Sequence, residues 1–212
     1  QEVAGTLVRR VALVDGLEVW DVTGDHAAVL ALLGERAEVR RVEVDQTVVA
    51  ATPSRPVEPL APVPTAAAVI GHGVDPAGTD GVIGWWTNPA ELPGNGVDDD
   101  GNGYLDDVRG WDFCESDPEP GLPGVPSITD LLASAGVPAD VPILPLRVLC
   151  ADGTARLSDV VAALDYAAAS GLAVTVDGST AAATGSAAIV EVVEAVEAAG
   201  HLVVTVSGTA RD

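Results

Sequence analysis

Acidic and amide side chains alternate along one short stretch of the chain, between positions 98 and 107. A loop with carboxylates at every second position around turn-forming glycines can wrap a hard cation such as Ca²⁺. The bidentate glutamate of a complete EF-hand loop is missing, because its position falls on Arg109. The candidate ligands are Asp98, Asp100, Asn102, the backbone carbonyl of Tyr104, Asp106 and Asp107. An acidic, solvated turn is the alternative; we predict a structural Ca²⁺ site in which Asp106 or Asp107 closes the shell.

The charge of the chain restricts its partners. Of its 212 residues, 32 are acidic and 10 are basic, which gives a formal charge of −22. Such a surface repels nucleic acid and anionic lipid headgroups, so we expect neither as a partner. Hydrophobic residues make up 48% of the chain, enough for a substantial core. No apolar run is long and clean enough to cross a bilayer, and the start at Gln1 without a charged, then apolar leader predicts that any signal peptide has been removed.

Hydrophobic periodicity predicts the elements that position this loop. From Ala66 onward strands alternate with helices, which favours crossover connections and an α/β fold with a parallel open sheet and flanking helices. The predicted strands span residues 66–70, 108–113, 143–149, 172–176 and 201–206. The predicted helices span residues 127–134, 158–170 and 187–199; Gly171 and Gly200 suit the ends of the last two.

Two further segments precede this domain of residues 66–212. The pattern of residues 1–51 predicts a small α+β module with strands over 7–14, 17–22 and 39–49 and a helix over 25–34. Residues 52–65 contain five prolines and no apolar periodicity, which predicts a stiff, extended linker.

The order of motifs over roughly residues 66–210 resembles that of subtilisin-like serine proteases (subtilases). The stretch AAVIGHGVD lies where that family has an apolar strand ending in the catalytic aspartate, and an insert at 85–113 follows, as in many subtilases. Residues 141–179 resemble the family's third strand, its long helix and its substrate-lining strand, with Ser179 matching a substrate-lining serine. The stretch GHLVVTVSGTARD resembles the strand that carries the oxyanion asparagine.

This resemblance implies a specific architecture. The family's sheet has the strand order 2-3-1-4-5-6-7, and this chain would supply the first five strands, so that the subtilase-like sheet is truncated after the fifth. The segment from 17 to 51 resembles the later part of a subtilase propeptide, which implies a small ferredoxin-like α+β module at the N-terminus.

The positions where the resemblance places catalytic groups hold other residues. Gly71 stands in place of the aspartate that orients the histidine, and Gly124 lies near the position of the histidine. Thr209 stands in place of the oxyanion asparagine, and the sequence ends before the segment that carries the nucleophilic serine. A substitute pair of His72 and Asp75 is conceivable, but a lone histidine in a glycine turn is more often a surface residue. A dinucleotide loop at Gly71 and Gly73 is rejected, because its glycine spacing is wrong.

The two cysteines follow the second and third predicted core strands. The resemblance makes these strands parallel neighbours, so Cys114 and Cys150 would leave the sheet at the same edge, within reach of a disulfide. The alternative is two free thiols. A disulfide would fit an oxidising compartment, and we expect a secreted or periplasmic protein.

These observations support three functional hypotheses. The first is a catalytically inactive, calcium-stabilised subtilase-like protein (a pseudoprotease) that acts by binding or as a scaffold, with a protein partner covering the apolar edge strand 201–206. The second is a divergent serine endopeptidase completed by a further C-terminal segment or a second chain. The third is a protease inhibitor in which residues 1–51 block an active subtilase, as propeptides do.

Overall fold

The computed structural model describes residues 5–52, 56–75, 84–125 and 127–205. The strands are β1 (Gly5–Arg10), β2 (Glu18–Val22), β3 (Thr47–Val49), β4 (Ala67–Gly71), β5 (Trp111–Asp112), β6 (Ile143–Arg147), β7 (Thr154–Arg156), β8 (Val174–Asp177) and β9 (Leu202–Thr205). The α-helices are α1 (His26–Gly34), α2 (Ile128–Ser134), α3 (Leu157–Ala169) and α4 (Ala187–Ala198), and a 3₁₀ helix spans Ala181–Thr184. No helix among the described residues has the length and apolar character needed to cross a membrane.

A five-stranded parallel sheet forms the centre of the molecule, with the strand order β5-β6-β4-β8-β9. Strands β4 and β6 are buried at every residue, because helices cover both faces of the sheet. Helices α3 and α4 contribute to the hydrophobic cluster on one face, and α2 contributes to the cluster on the other. The predicted α/β class, with a parallel sheet and flanking helices, is therefore confirmed.

The strand predicted over 108–113 is much shorter than expected. Only β5 pairs with β6 in the sheet, while Val108 forms a local bridge to Gly110. Gly110 has a φ of 105°, a backbone conformation that glycine adopts without strain. The chain therefore turns just before β5, and the acidic loop ends where the sheet begins.

The N-terminal part differs from a ferredoxin-like module. Strands β1 and β2 form a two-stranded antiparallel hairpin, whereas β3 pairs antiparallel with β7 in a separate sheet. The strand predicted over 39–49 is present only at Thr47–Val49. Among the described residues, the three N-terminal strands thus do not share one sheet.

Carboxylates between the hairpin and β3 explain this difference. Helix α3 has no side-chain cap of its own, and Asp45 accepts hydrogen bonds from the Ser158 N–H (2.9 Å) and hydroxyl (2.7 Å). Glu43 accepts from the Ser186 hydroxyl and the Ala187 N–H at the start of α4. Negative groups are favourable at helix N-termini, where N–H groups lack intrahelical partners. The segment therefore follows the two helix ends, although its alternating pattern favours a strand.

Candidate functional site

Residues 47–51 form an extended segment (the groove segment) between β7 and residues 178–180, and we call the space between these two neighbours the groove. On one side, Thr47, Val48 and Val49 pair with β7 in an antiparallel register. On the other side, the Ala51 N–H donates to the Gly178 carbonyl (2.7 Å), and the Thr180 N–H donates to the Val49 carbonyl (2.9 Å). The segment therefore has backbone hydrogen bonds along both edges, as a strand within a sheet has.

The side chains of this segment alternate between the interior and the solvent. Val48 is 2% exposed and belongs to the main hydrophobic cluster, whereas Val49 is 48% exposed. Such alternation is typical of a half-buried strand. The strand predicted over 39–49 includes Thr47–Val49 but was assigned to a separate module, because no local signal in this segment reveals β7 or residues 178–180 as its neighbours.

A cavity of about 250 Å³ lies beside this segment, where β4 and β8 end. Gly71 and Gly178 line it from the strand ends, Ala51 and Thr52 line it from the groove segment, and Leu131 lines it from α2. An added Cβ at Gly178 would lie 2.8 Å from Leu131 Cδ2, so the backbone and this side chain approach closely there. The wall is mainly apolar, which suits an aliphatic side chain better than a charged one.

Two of the three positions at which the resemblance places catalytic groups lie near this cavity. Gly71 lines it, and Gly124 lines a neighbouring cavity; His72 contributes to both. The Gly124 N–H donates to Asp75 Oδ2 (3.0 Å). Thr209 lies outside the described residues.

His72 has the electrostatics of a neutral side chain. Burial lowers its pKa, and the positive charge of Arg147 lowers it further. A carboxylate that orients a catalytic histidine acts in the opposite direction, because it stabilises the imidazolium and raises the pKa. The environment of His72 therefore disfavours the imidazolium form.

A disulfide joins Cys114 and Cys150, as predicted, with their Cα atoms 5.5 Å apart. Next to it, the Arg147 guanidinium donates to Asp112 Oδ2, and both residues are buried. Burial raises the pKa of Asp112, against the opposing effects of N–H donors and of Arg147. The covalent bond and this ion pair fasten the ends of β5 and β6 to each other.

The acidic insert brings together a set of carboxylates that differs from the predicted one. Glu91, Asp100 and Asp107 each offer an oxygen within 4.8 Å of the others, so this cluster could hold a metal ion. Asp107 is fully buried, and Glu91 is 5% exposed. Glu91 was not predicted, because it lies outside the alternating stretch and only the folded insert returns it to the loop.

The other predicted ligands have different contacts. Asp98 accepts hydrogen bonds from the N–H groups of Gly101, Asn102 and Gly103. Asp106 accepts from the N–H groups of Asn95 and Gly96. The Asn102 amide donates to Asp100 and Asp107, and the Tyr104 ring packs edge-on against Trp111, Phe113 and Tyr166. Of the six predicted ligands, Asp100 and Asp107 thus belong to the cluster, and Asn102 contacts it.

A comparison with known protein families found no matching family model, and a comparison with curated proteins found no significant match.

Proposed function

We propose that this chain is a secreted, subtilase-like protein without peptidase activity that binds an extended peptide segment in the groove between β7 and residues 178–180. The observation that carries the proposal is the segment 47–51, which has backbone hydrogen bonds on both edges of this groove. Adding an extended segment to exposed strand edges is a general mode of peptide recognition. In the described conformation, the chain's own residues occupy the groove.

The resemblance to subtilases supports this assignment. Counted along the chain from β4, the five core strands lie in the order 2-3-1-4-5, which agrees with the order that the resemblance implies. Ser179, which matches a substrate-lining serine, forms a bridge to Ala50 of the groove segment. This contact supports the interpretation of the groove as the counterpart of the family's substrate site.

The chemistry of the strand ends argues against peptide hydrolysis. Acyl transfer by a serine needs a base, and that base needs an oriented imidazole. Gly71 and Gly124 offer neither a carboxylate nor an imidazole, and burial and Arg147 lower the pKa of His72. Binding without turnover is the function that remains for the groove.

The proposal includes a bound Ca²⁺, an extracellular or periplasmic location and a protein partner. The acidic cluster supports the ion, and the disulfide supports an oxidising compartment. Within the described residues β9 pairs only with β8, and Leu202 is 45% exposed. An apolar edge strand is an attachment point for another polypeptide, and the net charge favours protein over nucleic acid or membrane.

Release of the segment from the groove tests the proposal. Val48→Asp places a charge in the hydrophobic cluster and should displace the segment, whereas Val49→Asp at the exposed neighbouring position should leave it in place. A fluorescent peptide with the sequence of residues 44–52 should bind the Val48→Asp variant at least about tenfold more tightly than the wild type, because the cis segment no longer competes. Fluorescence anisotropy measures the difference, and circular dichroism checks that the variant stays folded.

Two results would contradict the proposal. Equal peptide affinity of a folded Val48→Asp variant and the Val49→Asp control would mean that the groove does not accept a peptide in trans. Peptidase activity that copurifies with the wild-type chain, or labelling of this chain by a fluorophosphonate probe, would favour the divergent endopeptidase instead.

A further inference from the structure

We propose that Glu91, Asp100 and Asp107 form a site for Ca²⁺ in which Glu91 supplies the carboxylate that the loop 98–107 lacks. This inference deepens the calcium part of the proposed function, on which it rests, and it does not depend on the groove. It also reassigns the predicted ligands, because Asp98 and Asp106 shape the loop while Glu91 joins the site from outside it.

Three acidic side chains converge on one point, which is the first observation. Their ligand oxygens lie within 4.8 Å of one another, and two of the three residues are buried. Carboxylates at this separation repel one another, and burial strengthens the repulsion because the local dielectric constant is low. In the part of the chain that the structure describes, none of the three forms a salt bridge. A divalent cation would remove this repulsion.

An unpaired oxygen on Glu91 is the second, independent observation. Glu91 Oε1 accepts hydrogen bonds from the Asp99 N–H (2.8 Å) and the Asp100 N–H (3.2 Å), which fix the orientation of the carboxylate. Its other oxygen, Oε2, is buried and has no hydrogen-bond partner among the described residues. Leaving a buried acceptor unsatisfied destabilises the folded state, and more so when the group is charged. A metal ion is a partner that fits this oxygen.

Neighbouring donors orient the other two carboxylates. The Asn88 amide donates to Asp100 Oδ2 (2.9 Å) and Asp107 Oδ1 (3.0 Å). The Tyr166 hydroxyl of α3 donates to Asp107 Oδ2 (2.5 Å). The Asn102 amide also donates to Asp100 Oδ2 and Asp107 Oδ2, so each of these two oxygens accepts two hydrogen bonds. Among the described residues, Asp100 Oδ1 and Asp107 Oδ1 accept one hydrogen bond each, from the Asn102 N–H and the Asn88 amide, and each can accept an ion as a second partner. Through Tyr166, the site also connects the insert to the core helix α3.

The ligand set favours Ca²⁺ over Mg²⁺. Three carboxylates on an irregular loop can supply mono- or bidentate oxygens to a large, flexible shell, which Ca²⁺ accepts. Mg²⁺ requires a near-ideal octahedron and usually keeps several waters. A buried site with two nearly inaccessible carboxylates leaves little space for those waters.

The substitution Glu91→Gln tests whether Glu91 is a ligand of the ion or only a structural residue. The amide that it introduces can keep the two contacts at Oε1, but it cannot provide a charged Oε2. In EDTA, the variant should melt at the same temperature as the wild type or higher, because a buried, unpaired charge is removed. In CaCl₂ the wild type should gain thermal stability and the variant should lose this gain, with Ca²⁺ affinity reduced at least about tenfold in calorimetric titration. The exposed Glu119 provides the matched control: Glu119→Gln should behave as the wild type does.

Other outcomes would overturn the inference. A Glu91→Gln variant that keeps the wild-type Ca²⁺ affinity, or a wild type that binds no Ca²⁺, would show that these residues do not form the proposed Ca²⁺ site. Equal destabilisation in EDTA and in CaCl₂ would make Glu91 a structural residue. Asp98→Asn should lower stability in both buffers yet keep the Ca²⁺-dependent gain, and loss of that gain would return Asp98 to the ligand set. If the wild type binds no Ca²⁺ but the Val48→Asp variant still binds the groove peptide, only the calcium part of the proposed function is wrong.

Discussion

At the scale of single residues, Asp177 shows how burial makes a side chain sensitive to pH. It lies at the end of β8, is 2% exposed, and accepts a hydrogen bond from the Ser179 N–H (2.9 Å). Burial raises its pKa from 3.8 to about 6, although the contacts with Ser179 oppose this shift. The protonated form therefore predominates in the folded protein at pH 5, whereas the unfolded chain is ionised there.

Asp177→Asn should remove this pH dependence. Because the folded state binds the proton more tightly than the unfolded state, Asp177 stabilises the fold fully below about pH 4 and loses that contribution as the pH rises to 6. The shift corresponds to about 3 kcal/mol. We expect the wild type, relative to the variant, to lose free energy of unfolding between pH 4 and 7 in urea titrations. Asp140→Asn, at an exposed position, should show no such difference; a pH-independent gap between the wild type and Asp177→Asn would refute the prediction.

At the scale of elements, the close contact between β5 and β6 depends on one glycine. Gly110 has a φ of 105°, and an added Cβ would overlap the Pro145 carbonyl oxygen in β6. This position joins the acidic insert to the sheet, one residue before β5. A side chain there would push the two strands apart.

Gly110→Ala should therefore destabilise the protein strongly. Left-handed backbone strain and overpacking together should cost at least about 3 kcal/mol of unfolding free energy. Gly94→Ala provides the control, since Gly94 also has a positive φ of 69° but open space around its Cα; it should cost about 1 kcal/mol. Chemical denaturation measures both values. Equal losses would show that the backbone conformation matters and the contact with Pro145 does not.

Elements whose signals lie within their own sequence were predicted well, whereas elements shaped by contacts with distant residues were not. Helices α3 and α4 were predicted to within one residue, because their apolar periodicity and their Gly171 and Gly200 ends are local. Local pattern also placed a strand over 39–46, where the structure has none, since the contacts of Glu43 and Asp45 with α4 and α3 come from more than 100 residues away. In the candidate site, Asp100 and Asp107 were predicted from their spacing. Glu91 was not predicted, because the folding of the insert, and not its spacing in the sequence, places it next to Asp100 and Asp107.

At the scale of the whole molecule, the N-terminal residues depend on the core for their stability. Among residues 5–46 only Val11 is buried, and helix α1 has no buried residue. A segment that buries so little apolar surface cannot offset its own conformational entropy. Its contacts with the core include Asp165 of α3, whose carboxylate accepts hydrogen bonds from the Ala12 N–H (3.0 Å) and the Leu13 N–H (2.8 Å).

We therefore expect the wild type to unfold in a single calorimetric transition that includes the N-terminal residues. Asp165→Asn keeps the size of the side chain but weakens two charge-assisted hydrogen bonds, which should cost about 1–2 kcal/mol and lower the melting temperature by several degrees, about 2–4 °C per kcal/mol. It should also speed proteolysis within residues 5–46, since the hairpin is released more often. Asp140→Asn should change neither quantity. Two separate transitions in the wild type would instead mean that the N-terminal part folds on its own, in which case residues 47–51 occupy the groove as the end of an independent module.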